Sequence, residues 1–206
     1  MRPDQRPFPG TGPMKDIIRK RFEESISVIH QTGQRLTDAI AAAAEMIVAA
    51  YRNGGGVFLF GNGGSAADAQ HIAGELVGRF LKERKALKAE ALSTNSSVLT
   101  CLANDYSYQA IFARQLEANA TARDLAVGLS TSGNSSNVVA GLAKAREMGM
   151  KTIAFTGNGG GKCAALADVL LDVAGPGLPS PRIQEAHAVI YHVLCELVES
   201  AMAQKR

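Results

Sequence analysis

Cysteine is scarce in this chain: Cys101, Cys163 and Cys195 are odd in number and widely spaced. They neither frame a disulfide scaffold nor make a CxxC metal or redox motif, and they fit a reducing, cytoplasmic setting. Long apolar runs are missing as well. No window reaches the ~20 apolar residues that a membrane helix needs, and the N-terminal MRPDQRPFPGTGP has no apolar stretch of the secretory kind. Charge of one sign is also lacking. The 22 basic and 19 acidic side chains leave a formal charge of +3 with no long basic run, which argues against a large phosphate-neutralising face for duplex nucleic acid. The partners implied are small molecules, with no nucleic acid and no membrane.

What is present is apolar bulk. At 206 residues and 46% hydrophobic, the chain can bury one sizeable core, and its length is near that of a single domain. The Pro/Gly-rich stretch 1–13 is expected to be a disordered arm, leaving 14–206 as one folded domain. Residues 14–52 read as one or two alanine-rich helices, closed by Asn53 and the stop signal Gly54-Gly55-Gly56. Five short runs then read as strands: VFLF (57–60), AEALS (89–93), DLAVGLS (124–130), KTIAFTG (151–157) and DVLLDV (168–173). They are apolar at nearly every position and alternate with helical stretches. Such strands are covered on both faces, so the fold class is α/β: a three-layer αβα sandwich around a five-stranded parallel sheet with right-handed crossovers, plus N-terminal helices.

In open parallel sheets, ligands gather at the carboxyl ends of the strands, and polar loops stand there. Gly61-Asn62-Gly63-Gly64-Ser65 follows the first strand, and Ser130-Thr131-Ser132-Gly133-Asn134-Ser135-Ser136-Asn137 follows the third. The second loop leads into a helix, where hydroxyls and free N–H groups converge on the positive end of the helix dipole, an arrangement suited to a phosphomonoester. Capping alone takes two or three polar residues, whereas this loop supplies seven around one glycine. Neither loop is GxGxxG or GxxxxGK[ST], which disfavours dinucleotide and P-loop nucleotide sites.

If a helix starts near Ser65, His71 and Glu75 stand four residues apart on one face, a spacing that suits a shared metal, proton transfer or an ordinary solvated pair. The other dense polar cluster on a helix is RIQEAHAVIYH (182–192). Ile183, Ala186, Val189, Ile190, Val193, Leu194, Leu197 and Val198 give that helix a broad apolar stripe and mark it as a core or subunit-packing element. Gln184 and His192 diverge by roughly 80° on an ideal helix and Glu185 aligns better with His192, so spacing does not choose between Gln184 and Glu185. His187 and His30 read as ordinary helix histidines.

Together, GNGGSAADAQHIAGELVGRF, CLANDY, LSTSGNSSNV, GGKCAALAD and RIQEAHAVIYH resemble the sugar isomerase (SIS) domain family in order and over nearly the whole chain from residue 14. More narrowly, they are similar to its branch that interconverts sedoheptulose 7-phosphate and D-glycero-D-manno-heptose 7-phosphate, the entry to activated heptoses for lipopolysaccharide core or other surface glycans. The resemblance implies one zinc ion per subunit held by His71, Glu75, Gln184 and His192. It implies a phosphate cradle at Ser130, Thr131, Ser132 and Ser135, sugar contacts from Asn62, Gly63 and Gly64, and hydroxyl contacts from Asn104 and Asp105. It also implies a homotetramer.

An aldose–ketose isomerisation moves a proton between neighbouring carbons through an enediolate, with Glu75 as the implied base and His192 as the acid. A zinc-bound imidazole cannot also be a free acid, so ligand and catalyst roles compete for the same side chains. A rival within the family is the non-catalytic module that associates with the bacterial replication initiator. Such relatives tend to lose the carboxylate and the histidine, whereas Glu75, His192 and STSGNS all stand in this chain. Ser65-Ala66-Ala67 and the stretch 89–105 read somewhat like the module branch. A purely structural oligomer would leave the strand-end polar clusters unexplained.

Overall fold

The computed structural model describes residues 11–175 and 177–203. A single helix, α1 (Thr11–Arg52), stands where one or two were expected. Of the stretch 1–13 expected as a disordered arm, Thr11–Pro13 form the first turn of α1, and residues 1–10 lie outside the described residues. The alanine-rich second half of α1 packs on the sheet through Leu36, Ala43, Ala44, Ile47 and Val48, while Ile17, Ile18, Phe22 and Ile26 in the first half are exposed. Backbone bonds from Gly54 to Tyr51 and from Gly55 to Ala50 then turn the chain into the sheet.

The strands are β1 (Val57–Gly61), β2 (Ala89–Ala91), β3 (Leu125–Ser130), β4 (Lys151–Gly157) and β5 (Val169–Val173). They pair in parallel in the order β2-β1-β3-β4-β5. Between them run α2 (Gly64–Val77), α3 (Ser96–Asp105), α4 (Ile111–Asn119) and α5 (Ser136–Glu147), and α6 (Ser180–Met202) follows β5. The second strand is shorter than the run 89–93. The third begins one residue later than expected because Asp124 is spent outside the ladder, accepting from Gly56 N at 2.7 Å and from Thr121 N at 2.8 Å.

Alternation along the strands sorts the core into two layers. Leu59, Val127, Leu129, Ile153 and Phe155 pack against α1, α2 and α6. Phe58, Phe60, Ala126 and Ala154 face the opposite way, onto α4 and α5. Each layer gains roughly 25 cal/mol for every Å² of apolar surface it removes from water. Strand order reverses between β1 and β3, and in such sheets the ligand crevice opens at that point. Register places Gly61 opposite Leu129, so the loop from Asn62 and the loop from Ser130 emerge side by side. Among the described residues, no helix is long and apolar enough to cross a membrane.

Candidate active site

The two loops are tied by a reciprocal amide pair. Asn62 Nδ2 donates to Asn137 Oδ1 and Asn137 Nδ2 donates to Asn62 Oδ1, both at 2.8 Å. Asn137 is 2% exposed, so water does not compete for the pair. Tyr108 Oη adds a third bond, donating to Asn62 Oδ1 at 3.0 Å. In the loop after β3, Ser130 Oγ donates to Ser135 Oγ at 3.0 Å and lies 3.4 Å from Ser132 Oγ, while Thr131 Oγ1 meets Ser180 Oγ of α6 at 3.2 Å.

Ser135, at the N-cap of α5, makes no side-chain bond to the helix. The hydroxyls are therefore grouped with one another instead of being consumed as caps, which leaves the dipole end open to an anion. Gly133 permits the turn, with φ 63°, where a Cβ would run into the Gly160 carbonyl.

Gly63 precedes α2 with φ 55° and ψ −121°, and Gly64 opens the helix. A Cβ on Gly64 would sit 2.6 Å from Gln184 Nε2, so the glycine lets the α6 amide reach the first loop. Glu185 instead pairs with Arg182 at 2.7 Å. The structure thus turns Gln184, and not Glu185, toward the site.

Further along α2, His71 Nε2 is 3.1 Å from Glu75 Oε1 and His71 Nδ1 is 3.1 Å from Tyr191 Oη. The His71 and His192 rings meet edge-on with centroids 5.1 Å apart, and Phe80 stacks on His192 at 5.8 Å. Burial pushes the Tyr191 phenol up to about 12, with Asp68, Cys195 and Glu75 adding to the effect. Asp68, one turn before His71, has its carboxyl raised by burial against the lowering pull of His71, and its Oδ2 has no hydrogen-bond partner.

His71 thus meets both Glu75 and His192, Gln184 stands at the first turn of α2 beside Gly64, and each His71 nitrogen already faces a protein partner. Among the described residues, no three His, Cys, Asp or Glu side chains form a metal-holding group. Asn104 and Asp105 are exposed on α3 and engage each other, Asn104 Nδ2 donating to Asp105 Oδ1 at 2.8 Å. Among the described residues, no hydrogen bond joins them to the other candidates. His187 is buried behind the site, donating from Nε2 to Thr156 O at 2.9 Å while Nδ1 has no partner. It is half-satisfied where an ordinary helix histidine was expected. His30 is exposed on α1.

The SIS domain model matches residues 21–157. The phosphoheptose isomerase of Aquifex aeolicus is 49% identical over 192 residues, covering 93% of this chain and 97% of the relative. The chain belongs to the SIS-domain family, among the phosphoheptose isomerases. Two solved structures agree. The phosphoheptose isomerase from Neisseria gonorrhoeae superposes with TM-score 0.85 at 40% identity, covering 91% of this chain and 99% of that one. The one from Francisella tularensis gives 0.86 at 35% identity, with coverage of 91% and 98%.

As a phosphoheptose isomerase fold, the molecule contains several groups that sequence patterns did not single out. Asn137 and Tyr108 hold Asn62, and Tyr191 holds His71. Arg84 caps the C-terminus of α2, its Nη2 donating to the Glu75 carbonyl at 2.7 Å and its Nη1 to Gly78 O at 3.0 Å. Glu199 Oε1 then accepts from Phe80 N at 2.8 Å, and Oε2 from Leu81 N and Lys82 N at 2.7 Å each. The only sequence signal for any of these was adjacency: Asn137 closes the hydroxyl loop, and Tyr191 precedes His192.

Proposed function

We propose that the chain interconverts sedoheptulose 7-phosphate and D-glycero-D-manno-heptose 7-phosphate. One observation carries this reading: the paired His71 and Glu75 on α2 face His192 on α6 beside an uncapped hydroxyl loop at the sheet's switch point. In this reading Ser130, Thr131, Ser132, Ser135 and the first turn of α5 bind the phosphate, anchoring the far end of the sugar. Asn62, Gly63 and Gly64 line the way toward Glu75, with Gln184 alongside. Asn104 and Asp105 approach the sugar hydroxyls.

From the aldose, the Glu75 carboxylate takes the proton from C2 as His192 gives one to the carbonyl oxygen on C1, and a neutral enediol forms. His192 then recovers a proton from the oxygen on C2, and Glu75 returns its proton to C1. The net change moves one hydrogen from C2 to C1 and one from the C2 oxygen to the C1 oxygen. Positioned acid and base groups supply about 10²- to 10⁴-fold each in such steps.

Among the described residues, His71, Glu75 and His192 do not form a metal-holding group. The donor types of His71, Glu75, Gln184 and His192, two imidazoles, a carboxylate and an amide, are of the kind that zinc takes, and one zinc per subunit, held once these side chains turned toward it, would supply a Lewis acid at the sugar's carbonyl edge. The exposed apolar residues Phe22 and Ile26 on α1 and Val189, Val193 and Leu197 on α6 support assembly into a homo-oligomer, as a tetramer. The free thiols Cys101, Cys163 and Cys195 and a phosphorylated substrate support a cytoplasmic location. In that setting the product would enter activated-heptose synthesis for lipopolysaccharide core or other surface glycans.

The test is turnover of sedoheptulose 7-phosphate by the purified protein, with and without added zinc. Formation of the aldose heptose 7-phosphate supports the reading. A folded oligomer that turns over nothing in either state would move it to a sugar-phosphate-binding module.

A further inference from the structure

Asn137 makes three side-chain bonds at once, and two of them leave its own element. It is the second residue of α5 and 2% exposed. Its Oδ1 accepts from Val138 N at 3.0 Å, one of the backbone N–H groups that the first turn of a helix leaves without an intrahelical partner. The same oxygen accepts from Asn62 Nδ2, and Asn137 Nδ2 donates to Asn62 Oδ1, both at 2.8 Å. Satisfying the start of α5 takes only the first of these bonds. The other two are spent on the loop after β1.

The bonds fix one another's direction. A backbone N–H can only donate, so the Asn137 atom facing Val138 N has to be the oxygen, and turning the amide over would set donor against donor. With Asn137 fixed, Asn62 has to meet it Oδ1 to Nδ2 and Nδ2 to Oδ1. Tyr108 Oη then donates to Asn62 Oδ1 at 3.0 Å, which fills the second lone pair of that oxygen. What is left of the Asn62 amide is the second N–H of Nδ2, which among the described residues bonds to nothing.

We propose that Asn137 is a positioning residue that passes the direction of a backbone N–H in α5 to Asn62, so that Asn62 offers the substrate one donor, fitted to an oxygen of the sugar. The pair thereby ties the group that meets the sugar to the helix that meets the phosphate. The setting of the amide follows from these bonds alone; its effect on turnover rests on the isomerase reading above.

The experiment uses the full chain as wild type, Asn62→Ala, Asn137→Ala and the double variant. Calorimetry reads the binding of sedoheptulose 7-phosphate and of inorganic phosphate, and product assays read kcat and KM. Asn137→Ala is expected to weaken the sugar phosphate about five- to tenfold, the scale of one neutral hydrogen bond, and to leave inorganic phosphate within about twofold of wild type. The double variant is expected to bind no more weakly than Asn62→Ala alone, because Asn137 acts through Asn62. Tyr108→Phe, which leaves the amide pair intact, is expected to cost less than Asn137→Ala. Asn137→Asp keeps an acceptor for Val138 N and loses the Nδ2 donor, so it takes the same place in the cycle if Asn137→Ala does not fold.

Asn137→Ala that binds the sugar phosphate as wild type does overturns the proposal. So do additive losses in the double variant, or inorganic phosphate lost together with the sugar phosphate, because Asn137 then only holds the start of α5. A larger loss in Tyr108→Phe than in Asn137→Ala overturns it too, because the hydroxyl then sets the amide. Wild-type protein that binds the sugar phosphate with the expected coupling and turns over nothing supports the Asn137 assignment and sinks the isomerase reading instead. Wild-type protein that does not bind sedoheptulose 7-phosphate overturns both.

Discussion

Two carboxylates sit where α2 and the segment after it meet α6, and they live in opposite conditions. Glu199 is 1% exposed, and both its oxygens are taken by backbone N–H groups, with Arg84 alongside at 3.6 Å. Burial works to raise its carboxyl, but the three donors and Arg84 outweigh that and hold it below the usual carboxylate range. Glu75 is half-buried, with one oxygen on His71 and the other open. The first is saturated and structural, whereas the second is bonded through one oxygen only, as the proposed role of a base that exchanges partners during turnover requires. The two are linked, because Arg84 beside Glu199 also binds the Glu75 carbonyl. The clamp thus holds the backbone of the carboxylate proposed as the base.

Removing the working group should have the largest effect. Glu75→Gln is expected to lower kcat by roughly 10³- to 10⁴-fold, about 4–5 kcal/mol of barrier, with thermal unfolding hardly changed; coupled product assays and melting curves check both. Glu199→Ala should invert that pattern. Leaving Arg84 buried without its partner costs about 3–5 kcal/mol of stability, read by denaturant titration, while activity per folded molecule stays within a few-fold of wild type.

A third test uses pH. Burial lowers His187 to about 4 against the upward pulls of Thr156 and Asp172, so between pH 4 and its unfolded value near 6.5 the unfolded chain binds the extra proton. Stability is therefore full above about pH 6.5 and falls as pH drops toward 4, by ~3 kcal/mol; in His187→Gln this loss should shrink. Glu199 adds its own loss below about pH 4.5, because its folded carboxyl is the harder of the two states to protonate. Of smaller size, Ser130→Ala should raise KM about tenfold, near 1.4 kcal/mol, with kcat little altered. Smallest of all, Arg19→Ala breaks an exposed pair with Asp16 and should shift stability by less than ~0.5 kcal/mol.

Much of this was legible in the sequence, for a physical reason. Strands covered on both faces carry continuous apolar runs, so β1, β3 and β4 stand out without any long-range information. The hydroxyl grouping is local too, since the contacts among Ser130, Ser132 and Ser135 lie within one loop. What local patterns could not show is pairing across distance. Spacing on a helical wheel left Gln184 and Glu185 both open, and the close approach of Gly64 to the Gln184 amide separates them. Glu199 reads as one more charge on a C-terminal helix until the chain from Phe80 to Lys82 is folded beneath it. The length of α1 was blurred because polar residues such as Gln31, Gln34 and Arg35 interrupt its apolar pattern where one face of the helix turns outward.

The contact between Tyr191 and His71 closes over 120 residues of sequence, and that separation governs when the molecule becomes competent. Contacts so distant form late, after shorter loops have closed. A growing chain can therefore lay down β1, β3 and the loop after β3 well before α6 docks and brings His192 beside His71. On the proposed reading, the site is complete only once the last helix of the chain is in place.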